Sequence, residues 1–401
     1  MQLARSWLVP LAITAASALG APSVYAANGV LHIKIGLIRM PHTKDTISLM
    51  DMPPPDDTLA GAKMAVDDDN TTGSFMNQSF ELVDEPVARH GDPLPALRDL
   101  AAKGVRLVIT DLHAADLLKV ASATAAKGML FFNASAEADS LRQQDCRADI
   151  IHVAPERQML TDAVAQYLIV KQWPHWFIVK GSHKKDALLA ADYMASAKKF
   201  GADVVGTRTF VDKGGGRRSD SGIVQTSQLM GLFTQKMPAY DVLVAADESH
   251  VFGAYLPYTT WDPRPVAGSG GLEPKTWDFS HEAWGAAQMQ NRFVARFHRR
   301  MTERDNQAWV AGRMIGQAVS KLNTADPAKL RALMVSPKFD IADYKGVPLS
   351  VRPWDQQLRQ PILLSDGRMV VSASPQKGFL NPLSTLDTLG FDKPETKCKL
   401  Q

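Results

Sequence analysis

The sequence predicts an α/β protein made of two doubly wound parallel-sheet lobes joined by a multi-strand hinge. The first observation behind this prediction is that short apolar and β-branched segments alternate with amphipathic helical segments. That order implies parallel strands connected by right-handed crossovers. The second observation is that the series occurs twice, once before and once after residue 153. The third is the length of 401 residues, which favours two domains of about 100–200 residues over one core.

The first series opens with a strand and continues with capped helices. Leu31–Leu37 alternates apolar and polar residues, as a half-buried strand does. Asp92 and Pro93 supply an N-cap and a first-turn proline, which predict the start of a helix. The other elements predicted here are helices at Leu59–Val66 and Ala114–Ala126 and strands at Phe80–Val83, Val105–Ile109 and Met129–Phe132.

The second series repeats the order of helix and strand, and more helical patterns follow it. Its predicted elements are helices at Glu156–Val170, Ala187–Phe200 and Ile223–Lys236 and strands at Trp176–Val179, Val204–Phe210 and Val242–Ala245. Later come helices at Ala283–Met301 and Asn306–Leu322, a helix opened by Asp326 and Pro327, and strands at Val347–Val351, Ile362–Leu364 and Met369–Ser372. Because the late helices follow a complete second lobe, we expect them to return to the first lobe.

These patterns divide the chain into a leader, two lobes and a tail. We predict a signal peptide at 1–26, an N-terminal lobe at 27–153 and 275–345, a C-terminal lobe at 154–274 and 346–372, and a tail at 373–401. Arg5 precedes an uncharged apolar stretch that ends in the small-x-small pattern Val24-Tyr25-Ala26. The stretch is shorter than the roughly 20 apolar residues of a membrane span. We therefore expect the mature protein in the periplasm.

Composition and motifs exclude several classes of function. The 45 basic and 42 acidic residues leave a net charge of +3, too small for a protein that binds nucleic acid by bulk charge. The sequence contains no Walker-type phosphate loop, no Gly-x-Ser-x-Gly elbow and no His-Glu-x-x-His helix. Its ten histidines are scattered without metal-ligand spacing. We predict no enzymatic activity, no cofactor and no metal.

Two other charged or glycine-rich stretches are weighed against simpler interpretations. Gly214–Arg218 could hold a phosphate, but a flexible polar loop between a strand and a helix is favoured. Asp67–Asn70 could bind a cation, but successive helical residues point in different directions. A solvated helix end is the favoured interpretation there.

Cys146 and Cys398 are the two cysteines of the chain. In an oxidising compartment two thiols form a bridge more often than they stay free. The alternative, a catalytic thiol, needs a base and an orienting group that neither local sequence supplies. We predict a disulfide that pins the tail and contributes about 4–5 kcal/mol in the chain-entropy description.

Several segments resemble a known family. The run Ala60–Asn70 and the two tandem wound units look like the type I periplasmic binding proteins of the leucine/isoleucine/valine-binding class. Leu256–Tyr258, Arg264–Gly268 and Arg352–Pro361 resemble a subfamily of substrate-binding proteins of ATP-binding cassette (ABC) transporters. That subfamily is associated with alcohol dehydrogenase systems that depend on pyrroloquinoline quinone (PQQ). The resemblance implies a hinged pair of lobes that closes on one ligand.

Candidate ligand-binding residues follow the predicted strands, where crevices of such sheets lie. They are Arg39, His42, Asp111, His113, Asn133, Ser135, His183, Asp247, Glu248 and Gly270. Amino acid-binding relatives hold the ligand carboxylate with hydroxyl residues where this chain has the segments Asp111–Ala115 and Asn133–Ala136. A carboxylate at position 111 would repel an anionic ligand, which disfavours an ordinary amino acid. The resemblance to proteins of alcohol dehydrogenase systems implies a small alcohol, aldehyde, acid or related compound instead.

The leading hypothesis is a periplasmic solute-binding protein of an ABC-type uptake system, linked to PQQ-dependent alcohol oxidation. Its partners would be a small ligand and a membrane permease, with no nucleic acid. The alternative is an accessory or sensory partner of a quinoprotein dehydrogenase without a transport role. An enzyme using Asp111 or His113 and a metal-ion carrier are weaker alternatives.

Overall fold

The computed structural model describes residues 29–42, 52–211 and 226–400. The predicted signal peptide and the Gly214–Arg218 loop lie outside these residues.

The first lobe is built on a parallel sheet with helices on its faces. Apolar side chains such as Ile35 and Ile109 are almost completely buried in it, as expected for parallel strands covered on both sides. Its strands pair in the order β2-β1-β3-β4-β5. The elements are β1 (Leu31–Arg39), α1 (Leu59–Met76), β2 (Gln78–Pro86), α2 (Leu94–Ala102), β3 (Leu107–Asp111), α3 (Ala114–Ala121), β4 (Leu130–Asn133) and β5 (Ile150–His152).

The second lobe repeats this construction. Its parallel strands pair in the order β7-β6-β8-β9. The helix α5 ends at Gly201, which adopts φ 80° as the left-handed C-cap. The elements are α4 (Arg157–Val170), β6 (His175–Gly181), α5 (Lys184–Phe200), β7 (Asp203–Phe210), α6 (Thr226–Phe233), β8 (Val242–Ala246), α7 (Leu256–Thr259), β9 (Val266–Gly268) and β10 (Glu273–Lys275).

The late helices pack on the first lobe. Thr302 and Asp305 form a capping box that starts the long helix α9, and Ala308 and Ile315 of this helix lie in one core with Ile35. The elements are α8 (Ala286–Phe297), α9 (Glu303–Leu322), α10 (Pro327–Met334), β11 (Ile341–Ala342), β12 (Pro348–Val351) and β13 (Leu358–Arg359). The chain then adds β14 (Ile362–Ser365) and β15 (Val370–Ser374), which form an antiparallel sheet with β10.

Three segments connect the lobes and form the hinge. The first runs from β5 to α4, the second from β10 to Trp277, and the third from Arg352 to Ile362. Trp277 and Leu358 lie in the first lobe's core, whereas Ile362 lies in the second lobe's core. The first and third segments are joined by a hydrogen bond from the His152 amide to the Gln356 carbonyl at 2.9 Å.

The third crossing comes later in the chain than the predicted boundary at residue 346. Leu349 and Val351 pack in the core of the first lobe, although the prediction assigned 346–372 to the C-terminal lobe. The strand pattern alone does not show which lobe buries each strand. Leu389 of the predicted tail is buried in the second lobe's core.

The segment Arg352–Pro361, singled out by the sequence, is the polar part of the hinge. The fully buried Arg352 pairs with Asp387 at 2.9 Å and Glu156 at 3.3 Å. Gln357 donates to the carbonyls of His152 and Ala154. These side chains satisfy backbone groups that crossover segments leave without sheet partners.

The aspartates of α1 are ion-paired, contrary to the favoured interpretation of a solvated helix end. Asp68 and Asp69 pair with Arg292 of α8 and Arg313 of α9, and Asp69 is almost completely buried. The helix also extends to Met76 rather than ending near Val66. The partners lie more than 200 residues away, so no local pattern reveals them.

The predicted disulfide is confirmed. Cys146 and Cys398 are bonded and lie 252 positions apart in the sequence. Cys146 is buried in the loop before β5, so the bridge fastens the end of the chain to the first lobe.

Candidate functional site

The carboxyl ends of the two parallel sheets meet across a cleft between the lobes. Arg157, in the first turn of α4, connects the two sides. Its guanidinium lies 3.3 Å from Asp139 of the first lobe. On the second lobe it lies 3.0 Å from Asp192 and 3.9 Å from Glu248, which follows β8. The loops after the strands therefore converge on one region, as the two-lobe prediction requires.

On the first lobe, Asp111 at the end of β3 organises one wall of the cleft. Its carboxylate accepts hydrogen bonds from Thr58 Oγ1 at 2.6 Å and contacts His42 Nε2 at 2.6 Å. Arg304 Nε lies 4.0 Å away. Burial favours the neutral acid, but the His42 hydrogen bond and charge, with Arg304 and Thr58, outweigh it and hold the pKa of Asp111 below its usual value.

Thr58 reaches Asp111 because of its backbone conformation. Its φ of 67° and ψ of −44° form a tight turn, closed by the hydrogen bond from the Leu59 amide to the Asp57 carbonyl at 2.7 Å. A threonine in this region is strained. The conformation directs a fully buried hydroxyl at Asp111 just before α1 begins.

His113 completes this group as an imidazole neighbour of His42. The two ring centroids are 5.2 Å apart in an edge-to-face arrangement. Partial burial and the neighbouring His42 lower the pKa of His113. The structure thus brings together three of the predicted residues, His42, Asp111 and His113.

A second group of carboxylates lies between the lobes. Burial, followed by the nearby carboxylates of Glu303 and Glu248, raises the pKa of Glu137 to about 8. Glu303 accepts a hydrogen bond from the Thr276 amide at 2.7 Å. Among the residues that the structure describes, none donates a hydrogen bond to the Glu137 carboxylate. The carboxyl group of Glu137 is therefore available to form a hydrogen bond with a ligand in the cleft.

Several predicted residues are used mainly by their own loops. Asn133 donates to the Ala136 carbonyl at 2.7 Å and accepts from the Ala136 amide at 2.8 Å. The hydroxyl of Ser135 donates to the Leu112 carbonyl at 3.2 Å. Asn133 is fully buried, so it shapes the loop after β4.

In the second lobe, Asp247 and Gly270 have similar structural roles. The Asp247 carboxylate accepts from the amides of Val251, Phe252 and Gly253 at 2.7–2.9 Å. A side chain at Gly270 would approach the Gly253 carbonyl oxygen to 2.2 Å. These two positions close the turn after β8 against the turn after β9.

The remaining predicted residues lie at the margins. Arg39 pairs with Asp84 of β2 at 2.9 Å and donates to the Pro55 carbonyl. His183 is the N-cap residue of α5, and its amide donates to Asp186 Oδ2 at 3.2 Å. Glu248, by contrast, lies in the carboxylate group with Glu137.

The structure adds cleft residues that the sequence prediction omits, namely Thr58, Glu137, Arg157, Glu303 and Arg304. Arg157 and Arg304 both lie in the first turn of a helix, where a cation is unfavourable for the helix dipole. An arginine in the first turn of a predicted helix is a sequence signal that could have identified both residues.

No group of three or more His, Cys, Asp or Glu residues suited to a metal ion occurs in residues 29–42, 52–211 and 226–400. Two surface grooves lie elsewhere. One of about 370 Å³ lies between α1 and α8 at Met64 and Ala295, and one of about 300 Å³ lies at His32 and Arg106.

Residues 55–214 match the family model of the periplasmic binding proteins. No curated protein matches the sequence significantly. A leucine-, isoleucine-, valine-, threonine- and alanine-binding protein from Brucella ovis, in a closed conformation, superposes with a TM-score of 0.70 at 13% identity, covering 92% of this chain and 99% of that one. The fold is that of a type I periplasmic binding protein.

Other solved binding proteins share this fold. A branched chain amino acid ABC transporter periplasmic ligand-binding protein from Burkholderia xenovorans LB400 gives a TM-score of 0.68 at 16% identity, covering 85% of this chain and 95% of that one. An ABC transporter solute-binding protein from Rhodopseudomonas palustris BisB5, in complex with 3,4-dihydroxybenzoic acid, gives a TM-score of 0.59 at 12% identity. The match covers 86% of this chain and 97% of that one. The predicted fold class is confirmed, and these relatives are binding proteins rather than enzymes.

Among the described helices, none combines the length and the apolar character needed to cross a bilayer.

Proposed function

We propose that this protein is a periplasmic solute-binding protein of an ABC-type uptake system, whose two lobes close on a small ligand. The observation that carries the proposal is the convergence of both sets of strand ends on Arg157, which contacts Asp139 of one lobe and Glu248 of the other. A ligand that bridges such a cleft shifts the population toward the closed form. The location in the periplasm rests on the predicted signal peptide and on the family match.

The charges of the cleft bear on the ligand. Arg304 lies 4.0 Å from the Asp111 carboxylate and His42 is hydrogen-bonded to it, so Asp111 does not by itself exclude an anionic ligand. Glu303 and Glu248 lie close enough to Glu137 to raise its pKa. A neutral or positively charged solute is therefore favoured over an anionic one, and a small alcohol or aldehyde stays compatible with the cleft.

The experiment is a thermal-shift screen of alcohols, aldehydes, aromatic acids, amino acids and amines. A ligand that binds the native state alone raises the melting temperature by mass action. We expect Glu248→Gln to reduce that shift at a fixed ligand concentration. Glu81→Gln, on the exposed outer strand β2, is the matched control and should keep it. A screen with no shift in any class would contradict a solute-binding function.

The proposed link to PQQ-dependent alcohol oxidation rests on the resembling segments. One of them, Leu256–Tyr258, leaves Tyr258 83% exposed, close in sequence to Trp261 at 61%. Exposed aromatic residues are enriched at protein interfaces, which favours the second candidate, an accessory partner of a quinoprotein dehydrogenase. Retention of the dehydrogenase by wild-type protein but not by Tyr258→Ala, without any small-molecule response, would support this candidate over transport.

A further inference from the structure

The C-terminal segment, residues 384–398, begins as part of the second lobe. Leu389 is buried in the core of that lobe together with residues of α4. The Gly390 amide donates to Asp162 Oδ2 at 2.9 Å, and its carbonyl accepts from Lys199 Nζ at 2.7 Å. This end of the segment is therefore firmly attached to α4 and α5.

The middle of the C-terminal segment contacts the hinge. Arg352 of the third crossing pairs with Asp387 at 2.9 Å and also donates to the Phe391 carbonyl at 3.3 Å. The Phe391 amide donates to Glu156 of the first crossing at 2.9 Å. The segment thus contacts two of the three hinge segments with charged, buried partners.

The far end of the C-terminal segment is attached to the first lobe. Cys398 is bonded to Cys146, and the Lys397 amide donates to Gln143 Oε1 at 2.7 Å. Gly390 and Cys398 are eight positions apart, so the chain between them spans at most about 28 Å when fully extended. A turn at Asp392, whose carbonyl accepts from the Glu395 amide at 2.8 Å, shortens it further.

We propose that the C-terminal segment is a covalent strap that restricts the rotation of the two lobes about the hinge. The three hinge segments alone leave rotation to backbone torsions. The strap adds a fourth connection, which is anchored in the core of one lobe and cross-linked to the other. The range of rotation is then limited by the length of chain between Gly390 and Cys398.

The test measures interlobe distances in the full-length protein with and without the cross-link. Spin labels are attached to non-cysteine labelling residues in place of Arg98 on α2 and Lys198 on α5, both exposed and on opposite lobes. Double electron–electron resonance gives the distance distribution for wild type and for the double variant Cys146→Ser, Cys398→Ser. We expect a broader distribution in the double variant.

A stability-matched control separates restriction of motion from loss of stability. Met334→Ala removes a fully buried side chain of α10 and leaves the strap in place. It should lower the melting temperature while keeping the wild-type distance distribution. The proposal is overturned if the double variant keeps the wild-type distribution and only melts earlier, because the cross-link would then act on the unfolded chain alone. Equal broadening in both variants would also overturn it.

Discussion

Glu137 shows how single residues define the chemistry of the cleft. It follows β4, it is half-buried, and its pKa is raised to about 8 by burial and by Glu303 and Glu248. In such a setting the carboxyl group is protonated at neutral pH and can donate a hydrogen bond. Asp111 is the opposite case, since hydrogen bonds to its charged form keep its pKa low. At neutral pH, Glu137 is therefore uncharged and Asp111 is negatively charged, although both belong to the first lobe's side of the cleft.

We predict that Glu137→Gln changes the pH dependence of stability. The folded pKa of about 8 lies above the ordinary value of 4.5, so between these two pH values the folded state binds more protons than the unfolded state. The free energy of unfolding of the wild type then falls as pH rises through this window. Glutamine removes that contribution. The melting temperature of Glu137→Gln should rise relative to that of the wild type between pH 5 and pH 8. The melting temperature of Glu81→Gln should differ from that of the wild type by the same amount throughout this range.

At the scale of elements, glycines let α1 and α9 pack in close contact. A Cβ at Gly61 would lie 1.9 Å from the Asp305 carbonyl oxygen, and one at Gly312 would lie 2.5 Å from the Ala65 Cβ. The Ala60-Gly61-Ala62 run that resembles the binding-protein family is thus a helix-packing motif rather than a ligand site. This contact also positions the start of α9, where Glu303 and Arg304 enter the cleft.

We predict that Gly61→Ala destabilises the protein by about 1–3 kcal/mol, as overpacking does. The Asp305 backbone is fixed by the capping box that Asp305 forms with Thr302, so it cannot easily move to accommodate the added methyl group. Gly231→Ala in α6 is the matched control, because its Cβ would meet only the Thr259 carbonyl oxygen at 3.4 Å. There the gain in helix propensity should leave stability unchanged or raised by up to about 1 kcal/mol. Urea denaturation of both variants measures the difference, and equal effects would contradict the packing argument.

At the scale of the whole molecule, buried charge connects the hinge, the tail and the second lobe. Arg352 lies among three carboxylates, Glu156, Asp355 and Asp387, all completely buried. Burial raises the pKa of Glu156, and the Arg352 charge opposes that shift. The network is specific to this fold because it joins carboxylates from separate parts of the chain. Glu156 lies in the first hinge segment, Asp355 in the third, and Asp387 in the C-terminal segment.

We predict that Arg352→Met destabilises the protein by about 3–5 kcal/mol, since the change leaves buried carboxylates without their cation. Urea denaturation measures this loss. Hydrogen exchange should also show faster exchange of the amides in the C-terminal segment, whose carbonyls Arg352 binds. Arg368→Met, at an exposed turn, should change neither quantity. Similar exchange in both variants would show that Arg352 does not hold the segment.

Local pattern was sufficient for the elements and for part of the site. The alternation at Leu31–Leu37 and the cap at Asp326 are visible without any tertiary information. His42, Asp111 and His113 were predicted to meet because carboxyl ends of neighbouring parallel strands lie together. Glu137 and Arg157 were missed because their importance depends on residues of the other lobe or of the returning helices.

The sequence by itself determined the two wound lobes and the disulfide. Hydrophobic periodicity is a local property of each segment, and two cysteines allow a single intramolecular pairing. Only the tertiary structure decided which charges face each other in the cleft and where the third crossing occurs. These features depend on contacts between residues more than 100 positions apart, such as Arg304 with Asp111 and Arg352 with Glu156. Their free energy depends on burial and on the angle between the lobes, which no local segment encodes.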